Sequence, residues 1–191
     1  MTSRRPVFIS AAVEGAVDEA VLRRLLAHVG AEAAVIYGKQ GKQALLQRIG
    51  GYNVAARYSP WVVLVDLDQD AACAPPFRAT WLPQPSAGMC FRVAVRSVES
   101  WLLGDRESIS AFLGVAISRV PSEPDVDPDP KARMVELARK SRRWDIRQDM
   151  TPRPASGLHV GPAYSSRLIE FAHRVWRPAA AIRTSRASGG V

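Results

Sequence analysis

Residues 61–68 read Trp61-Val62-Val63-Leu64-Val65-Asp66-Leu67-Asp68, an apolar run that ends in two carboxylates. A continuous apolar, β-branched run is typical of a strand buried on both faces, as the strands of parallel sheets are. Open α/β sheets build their ligand sites at the carboxyl ends of such strands. We therefore expect Asp66 and Asp68 to lie at the functional edge of a parallel sheet.

A second apolar run, Val7–Val13, leads into Glu14 and Gly15 in the same way. Two more strands are predicted, over 33–37 and 91–95. Helical spacing of apolar residues predicts helices over 18–29, 43–49 and 98–103. The middle helix is expected to end at Gly50-Gly51. Strands that alternate with helices at this spacing predict an α/β fold, with a parallel sheet of about four strands flanked by helices.

The chain divides into four parts by composition. An α/β domain is expected over 1–118, followed by a linker rich in proline and acidic residues over 119–130. A basic helical extension, packed on the same domain, is expected over 131–182. The small polar residues of 183–191 predict a flexible tail. A length of 191 residues suits one domain with an appended helical part.

The formal net charge of +8 is concentrated in the C-terminal third. Residues 131–191 contain 13 Lys and Arg against 4 Asp and Glu, whereas residues 1–130 contain 13 against 14. A basic face joined to a near-neutral body is typical of a protein that binds a polyanion, so nucleic acid is the expected partner. Because 22 of the 26 basic residues are Arg, an arginine-rich genome composition is the alternative source of this charge.

Composition argues against several other classes. No apolar run approaches the roughly 18 residues of a membrane span, and the first run leads directly into a strand, which argues against a signal peptide. We therefore expect a cytoplasmic protein that does not bind membranes. Cys73 and Cys90 form no C-x-x-C pair, so a zinc site or disulfide framework is not expected and both are interpreted as small buried residues.

The acidic residues that follow the strands are candidate metal ligands. Asp66 and Asp68 are two positions apart, so both side chains leave an extended chain from the same side. Their charges repel, and a bound cation is the simplest compensation. Together with Glu14 they suggest a site for Mg²⁺ or Mn²⁺, which prefer oxygen ligands. Asp70 is a further candidate ligand, and Glu99, just after the fourth predicted strand, is a candidate fourth catalytic acid.

Basic residues are candidate phosphate contacts. Lys39 and Lys42 follow the second predicted strand, at a strand-to-helix turn where backbone N–H groups favour anions. The stretch does not match the Walker A pattern. Further candidates for contact with nucleic acid are Lys131, Arg142 and Arg143.

Each candidate also has a structural interpretation. Glu14 can be a loop glutamate stabilised by a nearby helix start. The three aspartates from 66 to 70 can form a solvated turn. Glu99 can belong to a capping box, and the lysines can be solvated surface residues.

The order of these motifs resembles the Toprim domain of topoisomerases, primases and overcoming-lysogenisation-defect nucleases, in which a strand ending in Glu-Gly precedes a parallel strand ending in Asp-x-Asp. The chain is most similar to a bacterial family of unknown function among Toprim-like proteins, which have a Toprim/Rossmann-like sheet. The matching stretches cover most of the chain: Val13-Glu14-Gly15 with Asp18-Glu19, then 64–68, 93–103, Asp129-Pro130-Lys131, 160–164 and 171–176.

The resemblance implies that Glu14 acts as general acid/base or metal ligand and that Asp66 and Asp68 hold Mg²⁺. Such sites make or break phosphodiester bonds. No tyrosine-nucleophile domain like that of topoisomerases is evident, so a nuclease that cuts with water fits better. Relatives often work beside a separately encoded ATPase, sometimes in phage defence. This sequence contains no ATPase motif, so such a partner would be a separate protein.

The sequence thus predicts a phosphodiesterase that depends on Mg²⁺ or Mn²⁺ and acts on nucleic acid, with Lys42 or Lys131 as phosphate contact. Two other classes stay open. One is a non-catalytic subunit that presents nucleic acid to a partner ATPase, and the other is a metal-dependent hydrolase of a nucleotide or small phosphate ester. The sequence does not determine the oligomeric state, and a homodimer is one option.

Overall fold

A computed structural model describes residues 6–182, so the flexible tail predicted over 183–191 lies outside the described residues. The described chain forms two compact units, with the boundary between Ala94 and Val95. All four strands belong to the first unit, and the described part of the second unit is helical. The boundary precedes position 118, the predicted end of the α/β domain.

Four parallel strands form the sheet of the first unit: β1 (Val7–Val13), β2 (Ala31–Gly38), β3 (Trp61–Asp66) and β4 (Met89–Ala94). They are hydrogen-bonded in the order β2-β1-β3-β4, and every pair is parallel. Because β1 and β3 are the two central strands, their carboxyl ends lie side by side. The predicted α/β fold, with a four-stranded parallel sheet flanked by helices, is confirmed.

The strand β3 has the continuous apolar sequence of a buried parallel strand because both of its faces are covered. Val63, Leu64 and Val65 are each at most 1% exposed. The core cluster that contains Val63 and Val65 also contains Leu45 and Phe77, which belong to two different helices of this unit. A strand buried in this way holds its last residue, Asp66, in a fixed position.

The helices of the first unit are α1 (Ala16–His28), α2 (Lys42–Gln47), α3 (Ile49–Ala55) and α4 (Ala74–Trp81). The prediction that a helix ends at Gly50-Gly51 is wrong, since this pair lies inside α3. The chain instead breaks at Arg48, between α2 and α3. The sequence interpretation missed α4, which is short and has Pro75 in its first turn, where proline favours helical φ.

The helices of the second unit are α5 (Val98–Gly104), α6 (Arg106–Leu113), α7 (Pro130–Arg139), α8 (Trp144–Met150), α9 (Tyr164–Arg174) and α10 (Pro178–Ile182). The extension predicted over 131–182 is therefore helical, as expected. The predicted linker over 119–130 contains a short 3-10 helix, Pro124–Val126. It also contains Asp129, the residue just before α7. The carboxylate of Asp129 caps α7 by accepting a hydrogen bond from the backbone N–H of Ala132, at 2.8 Å.

Two expectations drawn from composition can be compared with the structure. Among residues 6–182, no helix is long and apolar enough to cross a membrane. The interpretation of both cysteines as buried is wrong, since Cys73 is exposed and Cys90 is half-buried. Cys73 lies in the loop just before α4, and Cys90 lies on β4, an edge strand with a neighbouring strand on one side only.

Candidate active site

The candidate site lies where the two central strands end. The strand β1 leads into Glu14, β3 ends at Asp66, and the strand register pairs Val13 with Leu64. The Glu14 carboxylate turns toward β3, and its Oε1 accepts a hydrogen bond from the backbone N–H of Asp66 at 2.7 Å. Asp66 is itself buried, at 9% exposed. The Glu14 carboxylate therefore contacts the backbone of Asp66, another of the residues predicted for this edge.

The surroundings of Glu14 change its acidity. Burial disfavours the charged carboxylate and raises the pKa of Glu14 from 4.5 to about 7. The hydrogen bond from Asp66 and the positive charge of Lys42 lower this pKa, but they only partly offset burial. The charges of Asp18 and Asp68 add to the increase. Glu14 thus changes protonation near neutral pH, a property that suits a general acid or base.

A lysine holds two of the neighbouring carboxylates. The Nζ of Lys42 lies 2.5 Å from Oδ2 of Asp68 and 2.7 Å from Oδ2 of Asp70. The lysine side chain is 12% exposed, whereas the two aspartate side chains are 54% and 49% exposed. Burial lowers the pKa of Lys42, but its hydrogen bonds to the aspartates and the charges of Glu14 and Asp68 outweigh burial and raise it. Lys42 is therefore a protonated counter-ion within this acidic edge.

The turn after β2 is hydrogen-bonded to the end of β1. The backbone N–H of Lys39 donates to the carbonyl oxygen of Val13 at 2.9 Å. Gly38 and Lys39 both have left-handed backbone, with φ of 90° and 66°. Asp68, after β3, also has a positive φ, of 49°. Left-handed backbone is uncommon outside glycine, and such residues concentrate at functional sites.

The divalent cation predicted for this edge stays a prediction. Within residues 6–182, no group of three or more His, Cys, Asp or Glu is arranged to hold a metal ion. Asp68 and Asp70, both predicted as ligands, share the Lys42 ammonium. Glu14 and Asp66 are the other carboxylates of the edge. Mg²⁺ usually keeps several waters and binds one or two protein carboxylates, a number that this pair can supply.

Glu99 belongs to the second unit and is described there. It lies in the first turn of α5 and is 3% exposed. Its Oε1 accepts a hydrogen bond from the hydroxyl of Tyr164 at 3.2 Å, and its Oε2 has no hydrogen-bond partner among the described residues. The role of Glu99 as a fourth acid beside Glu14 stays a prediction.

The basic residues predicted to contact nucleic acid differ in their surroundings. Arg143 forms an ion pair with Asp145, at 2.6 Å, and donates to the carbonyl oxygen of Phe112. Arg142 is exposed, and so is Lys131 in the first turn of α7. At Arg143 a polyanion would compete with Asp145. Contact with nucleic acid stays a prediction for all three.

Sequence reasoning assigned no role in the site to two acids in the first turn of α1, and interpreted Asp18 only as a residue that caps or opens the helix. Asp18 is 7% exposed, and its charge raises the pKa of Glu14. Glu19 binds the predicted phosphate contact Lys39, with Nζ 2.9 Å from Oε2. Two consecutive acids placed three residues after Glu14-Gly15 were a signal available in the sequence, but their partners depend on how the turns fold.

Comparisons with known proteins add no assignment to a family. The chain matches no protein-family model, no curated protein and no solved structure. The resemblance to Toprim-like proteins therefore stays a prediction. Function has to be argued from the residues at the sheet edge.

Proposed function

We propose that this protein hydrolyses phosphodiester bonds of nucleic acid at the carboxyl edge of β1 and β3. The observation that carries the proposal is the pairing of Glu14 with the Asp66 backbone at this edge, next to Lys42 and its two aspartates. A buried carboxylate, a second carboxylate and an ammonium are groups that can supply a base, a metal ligand and a phosphate contact for phosphoryl transfer to water.

Glu14 is proposed as the general base. Its carboxylate would take a proton from a water molecule as the water oxygen attacks phosphorus, and the bond from phosphorus to the leaving ester oxygen would break. The leaving oxygen would take a proton from solvent and Glu14 would release its proton to solvent, so atoms and charge balance. A pKa of about 7 supports this role, because a base works best when its pKa lies near the working pH.

Asp66 is proposed as the carboxylate that binds Mg²⁺ or Mn²⁺, with water completing the coordination. When bound, the metal would supply stabilisation of negative charge on the phosphoryl oxygens. Lys42 lies close enough to Glu14 to influence the pKa of the glutamate. The Lys42 ammonium can contact a substrate phosphate if the phosphate takes the place of one of the two aspartates.

Nucleic acid is proposed as the substrate on the basis of charge. The excess of basic residues in 131–191 provides the electrostatic attraction that a polyanion needs. We also propose that the protein acts in the cytoplasm. From the resemblance alone, we also propose a separate ATPase as a partner, in a defence or repair system.

The proposal is tested by incubating supercoiled plasmid, linear duplex, single-stranded DNA and RNA with the protein and Mg²⁺ or Mn²⁺. Wild type is expected to cleave at least one of these, and Asp66→Asn is expected to lose that cleavage while remaining folded. Glu32→Gln is the control, because it removes an exposed acid at the opposite end of β2. Cleavage by Asp66→Asn at the wild-type rate would contradict the proposal.

One observation favours a second candidate, a non-catalytic subunit that presents nucleic acid to an ATPase. Asp68 and Asp70 already share the Lys42 ammonium as a counter-ion, so these acids have a cationic partner without a metal. In that case wild type and Asp66→Asn would be equally inert in the cleavage assay, and both would retard nucleic acid in a gel.

A further inference from the structure

A cavity of about 340 Å³ opens beside the acidic edge of the first unit. Its residues come from α2, from the loop after β3 and from α4. The volume lies at the lower end of the range of about 300 to 1,000 Å³ that is usual for small-ligand pockets. The cavity is therefore large enough for one ring system but not for a long ligand.

The floor of the cavity is apolar and its wall is aromatic. Leu46 and Phe77 are 3% and 6% exposed, so they form the floor. The Trp81 ring lies beside Phe77, with ring centroids 6.2 Å apart and planes inclined by 48°. A half-buried indole in a cavity offers a flat surface on which a planar ring can stack.

Three of the remaining lining residues are polar: Gln43, Asp70 and Thr80. Gln43 and Thr80 are exposed. The Gln43 amide can donate and accept hydrogen bonds, whereas the Thr80 hydroxyl donates to the carbonyl oxygen of Pro76 at 3.0 Å and can only accept from a ligand. Asp70 also lines the cavity, and its Oδ2 accepts a hydrogen bond from Lys42 at 2.7 Å. Through this ion pair the cavity adjoins the ammonium that we propose as a phosphate contact. The cavity therefore carries groups for the edge of a ring, and the Lys42 ammonium that binds its Asp70 carboxylate is available to an attached phosphate that takes the place of Asp70.

We propose that this cavity binds one nucleobase of the substrate strand, stacked on Trp81, with the phosphate of that nucleotide at Lys42. The inference rests on the proposed function, since it names the part of a nucleic acid that the site holds. Single-stranded nucleic acid is the class that fits, because a base inside a duplex is paired and cannot enter a pocket. Bases taken out of a duplex stack on aromatic side chains and hydrogen-bond through their edges, and the cavity provides groups for both.

The test measures binding of four nucleoside 5′-monophosphates by calorimetry, with inorganic phosphate as the probe for the cation alone. The blocking variant is Ala71→Phe, which fills the cavity from its lining. Its matched control is Ala79→Phe, an exposed position on α4 that does not line the cavity. Thermal melting of each variant checks that the fold is kept.

We expect at least one nucleotide to bind wild type and Ala79→Phe alike, and to bind Ala71→Phe about tenfold more weakly or worse, because base stacking contributes about 1–3 kcal/mol. Trp81→Phe is expected to keep most of the affinity and Trp81→Ala to lose it. Equal affinity of Ala71→Phe and wild type, or affinity no greater than that of inorganic phosphate, would overturn the inference.

Cleavage of single-stranded DNA and RNA by the same preparations separates this inference from the proposed function. If wild type binds nucleotides in the cavity but cleaves nothing, the proposed function fails and the base-binding cavity stands. If wild type and Ala71→Phe cleave equally well and nucleotides do not bind, the cavity inference alone fails.

Discussion

At the scale of single residues, the chemistry of the edge depends on how burial and nearby charge balance at Glu14. Burial alone would keep this carboxylate protonated, whereas the Asp66 amide and the Lys42 ammonium favour its charged form. The resulting pKa of about 7 means that both forms are present at physiological pH. The cost of ionising Glu14 is therefore part of the stability of the fold.

Glu14→Gln should change how stability depends on pH. Because folding raises the pKa of Glu14 from 4.5 to about 7, the folded state holds the proton more tightly, and this contribution to stability is lost as pH rises through 7. Denaturant titrations measure the free energy of unfolding at each pH. Between pH 4 and pH 8 this free energy should fall by about 1–3 kcal/mol more in wild type than in Glu14→Gln, an amount that allows for partial solvent screening. Glu32→Gln should show no such difference, and parallel curves for wild type and Glu14→Gln would contradict the assignment.

Lys42→Met should raise the pKa of Glu14 further. The methionine keeps most of the apolar stem but removes the positive charge that favours ionised Glu14. An NMR titration of the Glu14 side-chain carboxyl carbon should show its midpoint moving above that of wild type. Lys39→Met is the control, because it removes one positive charge from a lysine that pairs with Glu19. An unchanged midpoint in Lys42→Met would show that this ammonium does not act on Glu14.

At the scale of elements, the edge depends on how closely the ends of β1 and β2 approach. Val13 and Gly38 are register partners. A Cβ on Gly38 would lie 2.2 Å from the carbonyl oxygen of Val13, and the φ of 90° is unfavourable for any other residue. Glycine is therefore required where the turn after β2 crosses next to Glu14.

Gly38→Ala should destabilise the protein by about 3 kcal/mol, because both the contact and the backbone conformation become unfavourable. Gly50→Ala is the matched control: it lies inside α3, where an added Cβ meets nothing within 4 Å. Alanine has the better helix propensity, so that variant should be neutral or more stable by about 1 kcal/mol. Denaturant unfolding measures both, and equal stabilities would refute the close approach.

In the second unit, Asp105 joins the start of α6 to Arg177. Its carboxylate is 1% exposed and accepts bonds from the Arg177 backbone N–H at 2.9 Å and from Nη2 at 2.6 Å. Burial raises the pKa of Asp105, but the bonds from Arg177 and Ser108 outweigh it and lower the pKa below its ordinary value. The stabilisation is thus present at neutral pH and lost in acid, as pH falls through the lowered pKa.

Asp105→Asn should destabilise the protein at pH 7 more than removal of an exposed acid, because it removes the charge of a buried carboxylate that accepts bonds from both the backbone and the side chain of Arg177. The control is Glu107→Gln, which removes the other acid on Arg177, one that is 75% exposed. That exposed pair should contribute less than about 1 kcal/mol. If thermal unfolding shows similar losses for the two variants, the burial of Asp105 is not what stabilises this contact.

At the scale of the whole molecule, the parallel sheet could be predicted because its evidence is local. Apolar runs such as Val62–Val65, set between helical patterns, specify buried strands wherever they occur. The contacts that shape the site are not local. Glu14 meets the Asp66 amide 52 residues away, and Lys42 reaches Asp68 and Asp70 across 26 and 28 residues. Sequence reasoning placed these residues at one edge, but it could not show that a lysine would hold two of the acids.

The rate of nucleic-acid cleavage as a function of pH tests the central claim most directly. If Glu14 is the base, the wild-type rate in Mg²⁺ or Mn²⁺ should rise through a pH near 7 as this carboxylate ionises, and Glu14→Gln should be slower by about 100-fold or more at pH 8. Glu32→Gln should follow the wild-type profile. A Glu14→Gln variant that cleaves at the wild-type rate, with the same pH profile, would contradict the account.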